Sequence, residues 1–506
     1  MKKRSKIFLI VVCAMAALSI AASVQASSFT LLHSFVNNDT DDGEAPYSSL
    51  TLSGDTLYGM TFLGGDSDKG TIFSINTDGG AFTLLHNFLG GANDGEAPRG
   101  NLTLSGETLY GMTNNGGTQT RGTIFSIDTA AGAFTVLHIF VGGANDGQDP
   151  KGDLTLSGDT FYGMTSSGGD PTKGTIFSID TAGGGFTLLH EFAGGANDGQ
   201  SPWGSLTLVD STLYGMTSNG GPASAGTIFS IDTAGGGFTL LRDFVGGADD
   251  GKWPYGSLTF YNGQLYGMTY YGGVSDCGTV FSINTAGGDF TILRKFEGGA
   301  SDAKRPLSSL TIMAGTIYGM TYYGGDSDIG MVFSLNTAGE SYTILHEFVG
   351  SPDDGQRPWD NLTLSGGTLY GMTVDGGNSN NGAIFKLGTS EFDYIDTAGT
   401  NLSLGFDSGE IDQLAELYYL GKEGSSPDPI DVDDITWNYV DGELPGQSGK
   451  SIGDSWEIDG TYYIYLGSGL EGGSGEVPEP NTLGILALGA LGVLYWKRRK
   501  QKKEGT

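Results

Sequence analysis

Five histidines occur in this chain, and all of them, His33, His86, His138, His190 and His346, occupy one position of a repeating pattern; Arg242 and Arg294 fill it twice more. Residues set at equal intervals on equivalent segments are held apart by their scaffold, so they are not expected to converge as a metal triad. Cys13 lies in the first 26 residues, leaving Cys277 as the single cysteine downstream. That excludes an internal disulfide framework and a cysteine-based zinc site from the processed chain. No nucleophile elbow, phosphate loop or paired zinc-ligand string is present. The Gly-Gly pairs fall in turns, without the helix a dinucleotide site requires. Glycoside hydrolysis needs two carboxylates about 5–10 Å apart, and 58 Asp and Glu residues are too many to single out a pair. The expected role is binding without turnover, so the chain is read as a non-enzyme.

Aromatic residues offer a more specific signal. Trp203, Trp253, Tyr255, Tyr270, Tyr271, Tyr322, Tyr323 and Trp359 stand in two classes of loop and gather in the later copies of the pattern. Such rings stack on sugar faces while their polar edges hydrogen-bond, which makes them the candidate surface for a polysaccharide or protein ligand. The plainer reading has the same rings covering loop backbone or sealing junctions. Calcium is the candidate metal. Asn37-x-Asp39-x-Asp41-Asp42-Gly43 alternates oxygen ligands before a glycine, but lacks the distal glutamate of an EF-hand loop. Asp66 and Asp68, and again Asp326 and Asp328, form D-S-D-x-G strings that resemble the Asp-box turn of sialidase propellers, although they lie between different strands. D-x-D is also a common turn. No other cofactor is indicated.

These residues are carried on a 52-residue period. T-L-Y-G-M-T recurs with its tyrosine at Tyr58, Tyr110, Tyr162, Tyr214, Tyr266, Tyr318 and Tyr370, and G-T-I-F-S-I keeps step from Phe73 to Phe385. L-T-L opens each unit from Leu50 to Leu362, and F-T-L-L-H-x-F starts at Phe29, Phe82, Phe134, Phe186, Phe238, Phe290 and Tyr342. Each string is short, branched or alternating, and bounded by glycine-rich turns, as strands are. The 88 glycines against 15 prolines, with no three-residue period, fit many tight turns. Four strands per repeat with packing groups on both faces describe sheets sandwiched between neighbours, and the strand glycine is expected to let an adjoining sheet approach closely. The chain starts with a fourth-strand string and its last unit ends at Leu387 without one. Phe29–Phe35 therefore completes the seventh sheet, closing a ring without the caps an open solenoid needs. The fold expected is all-β: a seven-bladed β-propeller over residues 29–387. Within it, the loops between blades and those between second and third strands share one face.

The layout of these units is kelch-like, with phenylalanine where kelch repeats carry tryptophan. The Y-G-M-T and G-G-x-x-x-x-G-T-I-F strings more closely resemble the GloVer tandem-repeat family of bacterial exported proteins, across residues 29–387. That resemblance implies architecture and export, and no particular activity.

Both ends look like addresses. Lys2, Lys3, Arg4 and Lys6 precede an apolar run to Val24 and a small-residue cut after Ala26, so residues 1–26 read as a signal peptide. Residues 388–475 lose the period and read as a small acidic β-rich module or stalk, with strand-like runs at Ile435–Tyr439 and Tyr462–Leu466. Over 477–506, Pro478-Glu479-Pro480, the apolar stretch Thr482–Trp496 and the basic run Lys497–Lys500 resemble a PEP-CTERM sorting signal. That implies a short transmembrane sorting helix with its basic end in the cytoplasm. It also implies recognition by an exosortase-type membrane protease, and transfer from the inner membrane to the outer surface or extracellular matrix. The formal charge of −33 would repel nucleic acid and attract cations or basic partners. A surface binding or scaffold protein is the expected function; the alternative is a carbohydrate-active enzyme with carboxylates at the propeller's channel mouth.

Overall fold

The computed structural model describes residues 29–36, 42–130 and 132–389 continuously, together with the strands Asp393–Ile395, Asn401–Ser403, Trp437–Asp441, Ser455–Ile458, Thr461–Tyr465 and Gly492–Lys497. The chain divides into two units, Met1–Gly405 and Phe406–Thr506.

In the first unit the four strings of each repeat form an antiparallel meander. Blade 1 comprises Thr51–Ser53, Thr56–Thr61, Thr71–Asn76 and Thr83–Asn87. Strand alternation sends Leu57 and Met60 to opposite faces, and both are buried. Each face therefore needs a neighbour. Seven apolar clusters supply it, each shared by two adjacent blades. The one that decides topology joins Tyr370, Met372 and Ile384 of blade 7 to Leu50, Leu57, Phe73 and Ile75 of blade 1. The seventh sheet is completed by Phe29–Ser34, which pairs antiparallel with Ala383–Gly388 in the register Phe29↔Leu387, Leu31↔Phe385 and Ser34↔Ala383. The ring is closed, as the order of the strings required.

The strand glycine does something other than expected. A Cβ on Gly59 would lie 2.5 Å from Cζ of Phe73, its cross-strand partner in the same sheet. Gly111, Gly163, Gly215, Gly267, Gly319 and Gly371 sit under the matching phenylalanines, at 2.4–2.6 Å. The missing side chain thus makes room for a ring of its own blade, not for the backbone of the next one.

The histidine position joins blades at the rim. His33, His86, His138, His190 and His346 each stack on the phenylalanine that opens the next blade's fourth strand, at centroid distances of 3.8–4.1 Å. Arg242 and Arg294 lie over Phe290 and Tyr342 in the same way, at 3.5 and 4.1 Å. Each also meets a buried aspartate of the following loop, from Asp42 to Asp354, at 2.9–3.3 Å. Those loops pair with the turns between second and third strands, for example Gly43–Glu44 with Leu63–Gly64. Both loop classes therefore share one face.

In the second unit Trp437–Asp441, Gly492–Lys497, Thr461–Tyr465 and Ser455–Ile458 pair in that order as an antiparallel sheet. Of the expected sorting helix, residues 482–491 lie outside the described residues. Gly492–Lys497 is a strand, because a Val-Leu-Tyr-Trp run placed between two strands satisfies its backbone by pairing. Among the described residues no helix is long and apolar enough to cross a membrane. The signal peptide and Pro478-Glu479-Pro480 also lie outside them.

Asp198 accepts from the Ala193 and Gly199 amides at 2.7 Å and meets His190 Nε2 at 3.3 Å. Replacing it with alanine leaves the buried Gly199 amide and the partly buried Ala193 amide and His190 ring unsatisfied, so Asp198→Ala is expected to cost about 1–3 kcal/mol in chemical denaturation. Asp353→Ala, on an exposed loop position, should stay within about 0.5 kcal/mol of the parent.

Candidate functional site

Where the seven wedges meet at the axis, the chain entering each first strand passes against its counterpart in the next blade. Gly100, Gly152, Gly204 and Gly256 have no room for a side chain: a Cβ would stand 2.1–2.4 Å from the next blade's carbonyl oxygen. One residue on, the Asn101 amide donates to Asp153 Oδ1 at 2.6 Å, and the amides of Asp153, Ser205 and Ser257 donate to the hydroxyls of Ser205, Ser257 and Ser309 at 2.7 Å. Two residues further, threonine hydroxyls donate to the next blade's leucine carbonyl, from Thr51 to Leu102 and onward until Thr363 reaches Leu50. This belt fixes what stands just before it.

The residues there are Tyr47, Arg99, Lys151, Trp203, Tyr255, Leu307 and Trp359, and they rim a cavity of about 40 Å³ over Asp153 and Asp360. That volume holds a few waters. Outside the rim, the residues that follow Y-G-M-T add Phe62, Tyr270, Tyr271, Tyr322 and Tyr323. Trp203, Tyr255, Tyr270, Tyr271 and Trp253 form one chain of edge-to-face contacts at 4.7–5.5 Å. Phe62, Tyr47, Trp359, Tyr322 and Tyr323 form a second at 4.7–5.5 Å. Arg99 spans the two, with Cζ 4.8–5.5 Å from the rings of Tyr47, Phe62, Trp203 and Trp359. Arg305 spans them again at 5.0–5.7 Å from Tyr270, Tyr271 and Tyr323. All eight aromatic residues singled out from the sequence therefore share one surface, and all are partly exposed.

Sequence reasoning missed Tyr47, Phe62, Arg99, Lys151, Asp153 and Asp360. Stacking the copies at 52-residue intervals would have aligned the rim residues in one column whose neighbours barely change.

The electrostatics are strained at the axis. Lys151, 3.7 Å above the Trp203 ring, has its pKa lowered to about 8, chiefly by burial and then by Arg99. Burial also lowers Arg99. Asp153 and Asp360 are both raised, by burial first; Asp360, pushed well above the ordinary carboxylate range, is raised further by the charge of Asp153. Both are tied to the belt: Asp153 accepts from Asn101, and Asp360 accepts the Asn361 amide at 2.8 Å.

The D-x-D strings serve as turns. Asp68 and Asp328 take left-handed φ values of 55° and 52° and accept the Gly64 and Gly324 amides at 3.0 Å. Thr120, Thr172, Ser224, Asp276 and Asn380 hold the same position at φ 51–65°, so an aspartate there is one turn residue among several. Asp328 also pairs with Lys304 at 3.0 Å, while Asp66 and Asp326 are exposed. Asp39 and Asp41 lie outside the described residues. Among those residues no three acidic, histidine or cysteine side chains gather around a common point.

The model for the Gloeobacter/Verrucomicrobia repeat matches residues 20–196, 115–326 and 299–404, and that for the PEP-CTERM protein-sorting motif matches residues 476–500. No curated protein matches significantly. Among solved structures, an oligogalacturonate lyase in complex with manganese is 12% identical, covering 72% of this chain and 98% of its own, with a TM-score of 0.45. A chain of a nidogen/laminin complex is 16% identical over 55% of this chain and 91% of its own, at 0.36. TolB from Acinetobacter baumannii is 14% identical over 53% and 58%, at 0.33.

A carboxyl whose folded pKa is raised contributes stability that is full below its unfolded value, about 3.9, and lost as pH rises through the folded one. Asp360→Asn keeps the acceptor and removes the charge. It is therefore expected to melt above the parent at pH 8, with the difference closing toward pH 4. A parallel displacement at all pH values would contradict this electrostatic reading.

Proposed function

This chain belongs to the Gloeobacter/Verrucomicrobia repeat family, and we propose that it holds extracellular polysaccharide on the aromatic face of its propeller without performing chemistry on it. Its PEP-CTERM motif makes it an exported protein, sorted at the membrane to the cell surface. An exosortase-type protease acting near Pro478-Glu479-Pro480 would release or display it there. The observation that carries the binding role is the convergence of rings from separate blades into one partly exposed surface around the axis. Aromatic faces cover the apolar faces of sugar rings, and the phenol and indole groups at their edges meet hydroxyls. The enclosed volume is small beside the roughly 300 Å³ or more in which small ligands are buried. The ligand accordingly lies across the face as a chain.

The alternative, carbohydrate cleavage, has one point in its favour, the two carboxyls of Asp153 and Asp360 at the channel mouth, whose charges act on each other. Against it, both carboxylates are engaged by backbone amides of the belt and line a cavity too small for a sugar. Binding is the reading we adopt.

Replacing Tyr270, Tyr271, Tyr322 and Tyr323 together with alanine removes most of the outer platform. Each lost stack is worth about 0.5–1.5 kcal/mol, so the variant should elute unretained from immobilised matrix polysaccharide that holds the parent. A folded quadruple variant retained like the parent would remove the basis for the assignment.

A further inference from the structure

The aromatic face holds a group of cations that the acidic body does not neutralise. Away from the axis several basic side chains of this −33 chain meet carboxylates: Lys69 with Glu96, Arg242 with Asp250, Lys295 with Asp249. Arg99 and Lys151, neighbours on the rim, instead stand against aromatic faces and make no ion pair. The charge of Asp149 acts on Lys151 without forming an ion pair with it. Arg305 extends the group outward, with its Nε buried and unbonded.

Two partly desolvated like charges side by side raise each other's energy, and an incoming anion relieves that cost. A guanidinium held flat among rings still presents the edge donors that grip a carboxylate or sulfate. The acidic surface of the propeller repels acidic polymers elsewhere, which favours their attachment at these cations.

Building on the polysaccharide reading above, we infer that the ligand is an acidic glycan, its anionic group held by Arg99 and Lys151 while sugar faces stack on Trp203 and Trp359. The chemistry common to its sources is an anion borne on a sugar, either a uronate carboxylate or a sulfate ester.

The test is binding of the full-length exported protein to alginate, dextran sulfate and neutral dextran by affinity electrophoresis. Arg99→Gln/Lys151→Gln and Arg99→Lys are run beside the parent. The parent is expected to prefer at least one anionic probe to dextran by about tenfold or more, the scale of one charge-assisted contact, and the probe preferred identifies carboxylate or sulfate. The double Gln variant should lose that margin yet keep dextran binding, and Arg99→Lys should retain part of it. Equal binding of all three probes, or an anionic preference untouched in the double Gln variant, overturns this inference while leaving polysaccharide binding intact. Failure of the parent to bind any probe overturns both.

Discussion

Each sheet of this protein is apolar on both faces, so none can persist without a neighbour on either side. Seven such sheets satisfy that requirement together only when the last meets the first. Burial drives the stacking, since the inter-blade clusters hold the Leu, Met, Ile and Phe side chains that each repeat contributes. What makes the circle continuous in the covalent chain is Phe29–Ser34, taken from the start of the sequence to finish the sheet at the end of the propeller. Its bulge between Leu31 and His33 matches the bulge between third and fourth strands in the other blades, so the joint is built like any other.

Closure turns a linear repeat into a site. Positions 52 residues apart become neighbours around an axis, held by the amide and threonine belt. The repeated strings are fully committed to that scaffold: glycine to its phenylalanine, histidine to its aspartate and the next ring. Freedom remains where copies differ, and those positions lie on the face shared by the two loop classes. There the rim departs from sevenfold symmetry, with rings and cations side by side above two carboxylates.

The fold was almost wholly legible from the sequence, because a strict period, strand alternation and the displaced fourth strand leave one closed arrangement. The site was half legible. Trp203, Tyr255 and Trp359 stood out because large rings on loop positions are conspicuous. Arg99, Lys151, Asp153 and Asp360 did not, since charged residues are common in loops and only wedge geometry makes these four adjacent. One reading failed for a local reason. The strand glycine was assigned to inter-sheet approach, but cross-strand register gives its space to Phe73 and its equivalents. Asp68 and Asp328, singled out as calcium ligands, each spend one carboxylate oxygen on a backbone amide of a left-handed turn.

The closed ring depends on the first strand completing the seventh blade. In that register Thr30 faces Lys386, and Cys277 is the free thiol to remove first. With Thr30→Cys and Lys386→Cys in a Cys277→Ser background, the exported protein is expected to form an intramolecular disulfide quantitatively on mild oxidation, seen as faster migration on a non-reducing gel. Two thiols that stay free, or that link only between molecules, would mean the ring does not close there.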